Sequence, residues 1–235
     1  MRRLRGADSV IAAKLNRARC CDNVRVTDLL EAWRRLLTRH SAAPAIDATG
    51  AALLARWTEP HRRYHDLSHL RGVLQAVDQL AEDADAADDV DAVRLAAWYH
   101  DAVYAGRPDD EENSALLAES DLTALGVAPA LVAEVARLVR LTVEHDPAED
   151  DRNGQVLSDA DLAVLGLPPQ EYRTNTAKVR AEYGHVADAD FRAGRARVIR
   201  ALLAGPSLYR TERGRRLWEA AARANLSAEL RSLTD

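Results

Sequence analysis

The stretch EPHRRYHDLSHLRGVLQAVDQLA, residues 59–81, decides the fold class. Leu70, Val73, Leu74, Val77, Leu80 and Ala81 recur within it at steps of three and four, which lays one apolar stripe along a helix. His65 and His69 are four apart at the head of that helix, so both rings leave the same side, one turn above the other. One face therefore presents two imidazoles to a cavity while its lower part packs into a core.

The same helical period extends in both directions. Upstream, Thr27 or Asp28 caps a helix carrying Leu29, Leu30, Trp33, Leu36 and Leu37, and a second helix runs from Asp47 to Trp57, stopping before Pro60. Downstream, an acidic turn from Glu82 to Asp89 leads into an apolar helix from Val90 to Tyr104. Ser114 to Leu125 forms the next, closed by Gly126, and Pro129 opens another that carries Leu131, Val135, Leu138 and Thr142. An acidic loop, Asp146 to Asp151, precedes a short helix from Asp159 to Leu165. Pro168 and Pro169 open a helix towards Tyr183, Asp188 caps one that ends at Gly205 and Pro206, and Thr211 caps the last. About nine helices and no strand make an all-α fold, with one domain over residues 27–235. Residues 1–26 are rich in Arg, have weak periodicity and read as a loosely ordered arm.

Composition excludes several classes of function. The 32 basic residues are all Arg except Lys14 and Lys178, and against 37 acidic residues they leave a formal net charge of −5. No global field would draw such a chain onto a nucleic acid polymer or an anionic membrane. Cys20 and Cys21 are adjacent and can neither staple a fold nor hold a metal at ligand spacing, so a reducing, cytoplasmic setting is expected. No run approaches the roughly 20 apolar residues of a membrane span.

Polar residues of metal-ligand type interrupt three apolar helices. His65 and His69 are the first set. His100 and Asp101 follow LAAWY (95–99), where two buried polar groups are costly unless a cation or hydrogen bonds satisfy them. Asp159 and Asp161 sit in LSDADLAVL (157–165), where the apolar pattern calls for Leu. His40 and His185 carry no such context.

In this order, a His, then His-Asp, then a distant Asp, the set resembles the signature of the HD superfamily of metal-dependent phosphohydrolases. The YHDLSH piece (64–69) is also similar to a motif of the cyclic-nucleotide phosphodiesterases. EPHRRYH (59–65), WYHDAVY (98–104), EENSA (111–115) and DADLA (159–163) resemble a bacterial branch described as predicted HD-superfamily phosphohydrolases. The likeness continues into RAEY (180–183) and FRAGR (191–195).

The resemblance implies an HD-domain-like helical bundle and a divalent cation (Mg²⁺, Mn²⁺, Fe²⁺ or Zn²⁺) held by His69, His100, Asp101 and Asp161, with Asp159 as the alternative to Asp161. It implies that His65 stays off the metal and protonates the leaving group, although Asp66 stands where the phosphodiesterases carry Asn. A water activated by the cation would attack a phosphoester of a nucleotide or another small phosphorylated metabolite. Glu111 is a candidate for orienting that water, with Glu112 better read as an acidic helix start. Arg62, Lys178 and Arg180, and also Arg195, are candidate phosphate clamps. Thr142 and His145 end an apolar helix, where His145 is either a ligand of a second ion or a surface helix terminus. A di-iron oxygenase drawing on His61 or His145, and a metal- or nucleotide-binding protein without catalysis, are the alternative functions.

Because residues 1–26 lack the apolar period needed to join the core, their deletion should leave melting temperature and metal content unchanged. Calorimetry and elemental analysis of the truncated protein check this, and a large fall in either would show that the arm packs on the domain.

Overall fold

A computed structural model describes residues 26–83 and 86–234. The expected arm lies outside the described residues up to position 25. Val26, the first described residue, is helical and packs against the core. The described residues form ten α-helices and a 3₁₀ segment, with no strand among them. In chain order the helices are α1 (26–37), α2 (Ile46–Arg56), α3 (Leu67–Leu80), α4 (Val90–Tyr99), α5 (Asp110–Ala124), α6 (Pro129–Leu141) and α7 (Arg152–Asp161). The 3₁₀ segment (Leu162–Gly166) then leads to α8 (Pro169–Glu182), α9 (Asp188–Ala204) and α10 (Glu212–Thr234). None of the described helices is long and apolar enough to cross a membrane.

Two hydrophobic cores result. The larger gathers the stripes of α1 to α7, among them Leu37, Leu70, Val77, Leu95 and Leu138, all fully buried. The smaller gathers Leu165, Tyr172, Ile199, Tyr209, Ala222 and Leu226 from the 3₁₀ segment through α10. Trp218 of α10 touches both, so the C-terminal helices pack onto the bundle as a second layer. Tryptophans lock the bundle's centre. Trp33 meets Trp98 edge-on at 5.3 Å and donates its indole N–H to Ile46 O at 2.8 Å. Trp57 donates to Trp98 O at 3.1 Å, which ties α2 to the end of α4. Each buried indole thus keeps a partner for its one polar atom.

Local chemistry corrects three of the expected boundaries. Helix α4 stops at Tyr99 rather than running to Tyr104, because the Asp101 and Ala102 carbonyls are taken by the Arg62 guanidinium and the Val103 N–H by Ser114 Oγ. Helix α5 begins at Asp110, where a buried carboxylate accepts the Ala105 and Arg107 N–H groups and folds the preceding loop. Helix α7 starts at Arg152, capped by Asp151 on Gly154 N, so Asp159 is a buried mid-helix residue and not a start. The Gly126 C-cap behaves as expected, with φ +72°.

Gly50 of α2 lies against the Trp33 ring, and a Cβ there would stand 2.3 Å from Cδ1. Alanine gains about 1 kcal/mol in helix propensity, but the ring is hemmed in by Trp98, and overpacking costs about 1–3 kcal/mol. The clash should win. Gly50→Ala is expected to lower the midpoint of chemical denaturation, and an unchanged or higher midpoint would mean that the ring moves aside.

Candidate metal centre

Three helix ends converge on one point. His69 sits in the first turn of α3, where Asp66 caps the helix by accepting the Ser68 and His69 N–H groups. His100 is the C-cap of α4 and Asp101 follows it, while Asp161 is the last residue of α7. His69 Nε2 and His100 Nε2 are 3.1 Å apart. Asp101 Oδ2 lies 3.5 Å from the first ring and 3.2 Å from the second. Asp161 Oδ1 lies at 3.1 and 3.6 Å.

Those separations test whether the residues fit a cation. Donors held about 2.1 Å from one ion at tetrahedral or cis-octahedral angles stand roughly 3.0–3.4 Å from one another. The His69, His100 and Asp101 atoms, 3.1–3.5 Å apart, come close to that spacing, and Asp161 Oδ1 stands beside the two rings at 3.1 and 3.6 Å. His100 donates Nδ1–H to Ala97 O at 2.9 Å, which leaves its Nε2 as the lone-pair nitrogen facing the centre. Two such nitrogens at 3.1 Å, flanked by two carboxylates, form a donor set that calls for a positive charge between them. The electrostatics agree. Burial opposes a charge on either ring, yet Asp101 and Asp161 outweigh it and raise His69 and, much further, His100. The same rings hold Asp101 and Asp161 well below the usual carboxylate range, again against burial.

His65 stands beside this group. Its Nε2 is 3.9 Å from Asp101 Oδ2, while its Nδ1 makes a short hydrogen bond to Glu182 Oε1. The ring is partly exposed and lies 4.2 Å, centroid to centroid, from Tyr104. Glu182 Oε2 also accepts three successive backbone N–H groups, those of Arg63, Tyr64 and His65, at 2.7, 2.9 and 3.2 Å. Burial would raise that carboxyl, but His65 and the N–H groups drive it far below its ordinary range. Glu182 escaped the sequence reading. Its only signal was its place in RAEY (180–183), with no apolar pattern around it to break. On the other flank His145 Nε2 donates to Asp161 Oδ2 at 2.7 Å, with its backbone at φ +53°. The sequence left His145 open between ligand and surface terminus, and the fold brings it to the edge of the centre.

The other candidates fall elsewhere. Asp159 is buried, 2.7–2.8 Å from the Arg210 and Thr211 N–H groups and 2.6 Å from Thr211 Oγ1, which fixes the approach to α10. Burial pushes its carboxyl up despite those bonds. Arg62 is a buried strut, bonded to the carbonyls of His65, Asp101 and Ala102. Lys178 reaches Ser68 Oγ at 3.0 Å, and Arg180 binds the Tyr183 and Val186 carbonyls while lying over Phe191. Arg195 is paired with Glu229 at 2.8 Å. Glu111 lies in the first turn of α5 and lines neither cavity at the centre, and Glu112 pairs with Arg140. His61 bonds to Tyr104 O at 2.6 Å.

A cavity of about 650 Å³ opens from His65, His69, His145 and Asp161 and extends between the 3₁₀ segment, α8 and α9. Among the described residues the fold is all-helical, with a candidate metal centre of His69, His100 and Asp101 and with Asp161 beside the two rings. Residues 66–163 match the family model described as HD domain. The matched span runs from the cap of α3 into the 3₁₀ segment and contains the four converging donors. No curated protein matches the chain, and no solved structure does.

The two aspartates of α7 should respond differently. Asp161→Asn is expected to lower metal affinity by about the 10–100-fold of a disturbed ligand shell or more. Asp159→Asn should retain the metal and lose about 1–3 kcal/mol of stability, since it strands the N–H groups of Arg210 and Thr211. Metal titration and denaturation of both variants decide it, and metal loss confined to Asp159→Asn would reverse the assignment.

Proposed function

We propose that this HD-domain protein hydrolyses a phosphoester of a small metabolite, with His69, His100, Asp101 and Asp161 holding one divalent ion. A cation in that position lowers the pKa of a water and offsets charge gathering on phosphoryl oxygens. The observation that carries the reading is the pairing of His65 with Glu182. His65 Nε2 lies near the donor set without belonging to it, and its other nitrogen is occupied by a carboxylate. With Nδ1 bound by that carboxylate, the ring is oriented so that Nε2 is the nitrogen left to serve a departing oxygen.

The proton then passes from Nε2 to the leaving oxygen as the ester P–O bond breaks. Glu182 keeps the ring in orientation before and after that transfer, because its second oxygen is fixed by the three N–H groups. Tyr104 stacks on the ring and restricts its tilt. Arg62 holds the His65 and Asp101 carbonyls in one grip, so acid and ligand keep a constant separation.

His69→Ala is expected to empty the centre. His65→Ala should keep the metal and cut turnover by about 10²–10⁴-fold, the range of a general acid. The loss should shrink for a nitrophenyl ester, whose leaving oxygen needs no proton. Elemental analysis of both variants, with rates on good and poor leaving groups, tests the separation. Equal metal loss in the two variants would make His65 a ligand and favour the two-ion or oxygenase alternative.

A further inference from the structure

The cavity beside the centre has one polar end. Beyond the imidazoles and Asp161 its wall is formed by Val164 and Leu165 of the 3₁₀ segment, Val179 of α8, and Phe191, Val198 and Leu202 of α9. Val198 and Tyr183 at its mouth are large apolar side chains left about half exposed, at 50% and 41%. Apolar surface of this kind gains free energy only when something apolar covers it.

Four polar residues of the wall are already engaged. Thr176 Oγ1 donates to Tyr172 O and Asn175 Nδ2 to Glu171 O, each at 3.0 Å. The Tyr172 hydroxyl makes a short bond to Glu229, and Arg195 gives two N–H groups to the same carboxylate at 2.8 and 3.0 Å. Arg197 is the other cation on the wall, and the carboxylates Glu144 and Asp190 line it as well. A second or third phosphate of a polyphosphate would meet more negative than uncompensated positive charge there. A nucleobase would bury donors and acceptors against valine and leucine, which is unfavourable.

On the opposite side of His69 and Asp161 lies a smaller pocket of about 170 Å³, lined by Ser68, Gly72, Gln75 and Gln79 among others. The geometry points to a phosphate monoester of a bulky apolar alcohol as the substrate, its phosphoryl group at the metal centre and its hydrocarbon or aryl body along the 3₁₀ segment, α8 and α9. This inference rests on the phosphohydrolase reading for its reaction but on the cavity wall for its class of ligand.

The test uses the metal-loaded full chain. One arm compares hydrolysis of 2-(1-naphthyl)ethyl phosphate with that of adenosine 5′-monophosphate and its triphosphate, since all three bear a primary carbon next to the phosphorylated oxygen. A second arm measures calorimetrically the binding of the matching naphthylalkyl phosphonate, which cannot be hydrolysed, against methylphosphonate. A cyclohexyl analogue separates aromatic stacking from simple burial. The naphthyl phosphonate should bind at least about tenfold more tightly than methylphosphonate, and the naphthyl ester should exceed both nucleotides in kcat/KM. Val198→Asp, at a half-exposed position, should remove the phosphonate gap while metal content and melting temperature confirm an intact fold.

Selective phosphonate binding without cleavage of any ester would sink the hydrolase reading and leave the ligand class standing. Cleavage with the nucleotides equal or preferred would do the reverse. Absence of a phosphonate gap, or a gap that survives Val198→Asp, overturns the inference whatever the rates.

Discussion

The Arg62 guanidinium carries more of this architecture than any other polar group. Its side chain is fully buried, yet its charge is met by only one carboxylate, Glu59 at 3.1 Å. The remaining N–H groups go to the carbonyls of His65, Asp101 and Ala102, and the plane lies 5.5 Å from both Trp57 and Tyr104. Lys could not replace it, because a point charge cannot reach three carbonyls and lie against two rings at once. The grip explains why α4 ends at Tyr99, just before His100 and Asp101. A residue whose type suggested phosphate binding is the strut on which the centre's geometry rests.

From that strut the layering of the chain follows. The HD span ends within the 3₁₀ segment, but His65 and its partner Glu182 lie outside it on either side. Glu182 is the last residue of α8, and its carboxylate enters a cradle of three consecutive N–H groups from the His65 turn. A helix C-terminus is an unfavourable place for a carboxylate, since the partial negative charge of the final carbonyls repels it. The N–H cradle and the imidazole offset that repulsion. The docking of α8 is thus specified by a polar contact at the site as well as by the apolar contacts of Tyr172 and Ile199. Removing the second layer would leave His65 without the group that orients it.

How much was legible in the sequence depended on whether a residue broke a pattern. His69, His100 and Asp101 stood out because they sit where buried apolar residues belong, and the fold brings all three within 4.8 Å of one another. The α3 stripe from Leu70 to Leu80 was equally plain. The resemblance ranked Asp161 above Asp159, and the turn of α7 separates them in space: two positions on a helix differ by about 200°. One faces the Thr211 loop and the other the imidazoles. Glu182 and Arg62 were hidden for the opposite reason. In a chain this rich in arginine and carboxylates, a charge on a half-polar helix or loop looks like solvent-facing surface, and the contacts that tie Arg62 to Asp101 and Glu182 to His65 span 39 and 117 residues. Long-range polar contacts leave no local period to read.

The ends of α3, α4 and α7 explain how so much polarity is tolerated next to a dry core. His69 enters at the start of a helix, His100 and Asp101 just past the end of another, and Asp161 at the end of a third. Helix ends are where backbone direction changes, so side chains there can face a common point without breaking the apolar stripes that hold the bundle. Leu70, Leu95 and Leu157 stay fully buried within a few residues of the ligands. His145 extends the same logic at an energetic cost. Its φ of +53° is a conformation glycine would adopt more cheaply, and what the imidazole gains there is the bond to Asp161 Oδ2. Backbone strain at one helix terminus is therefore exchanged for orientation of a carboxylate at another, which places the two oxygens of Asp161 on different tasks: Oδ1 toward the imidazole pair, Oδ2 toward His145.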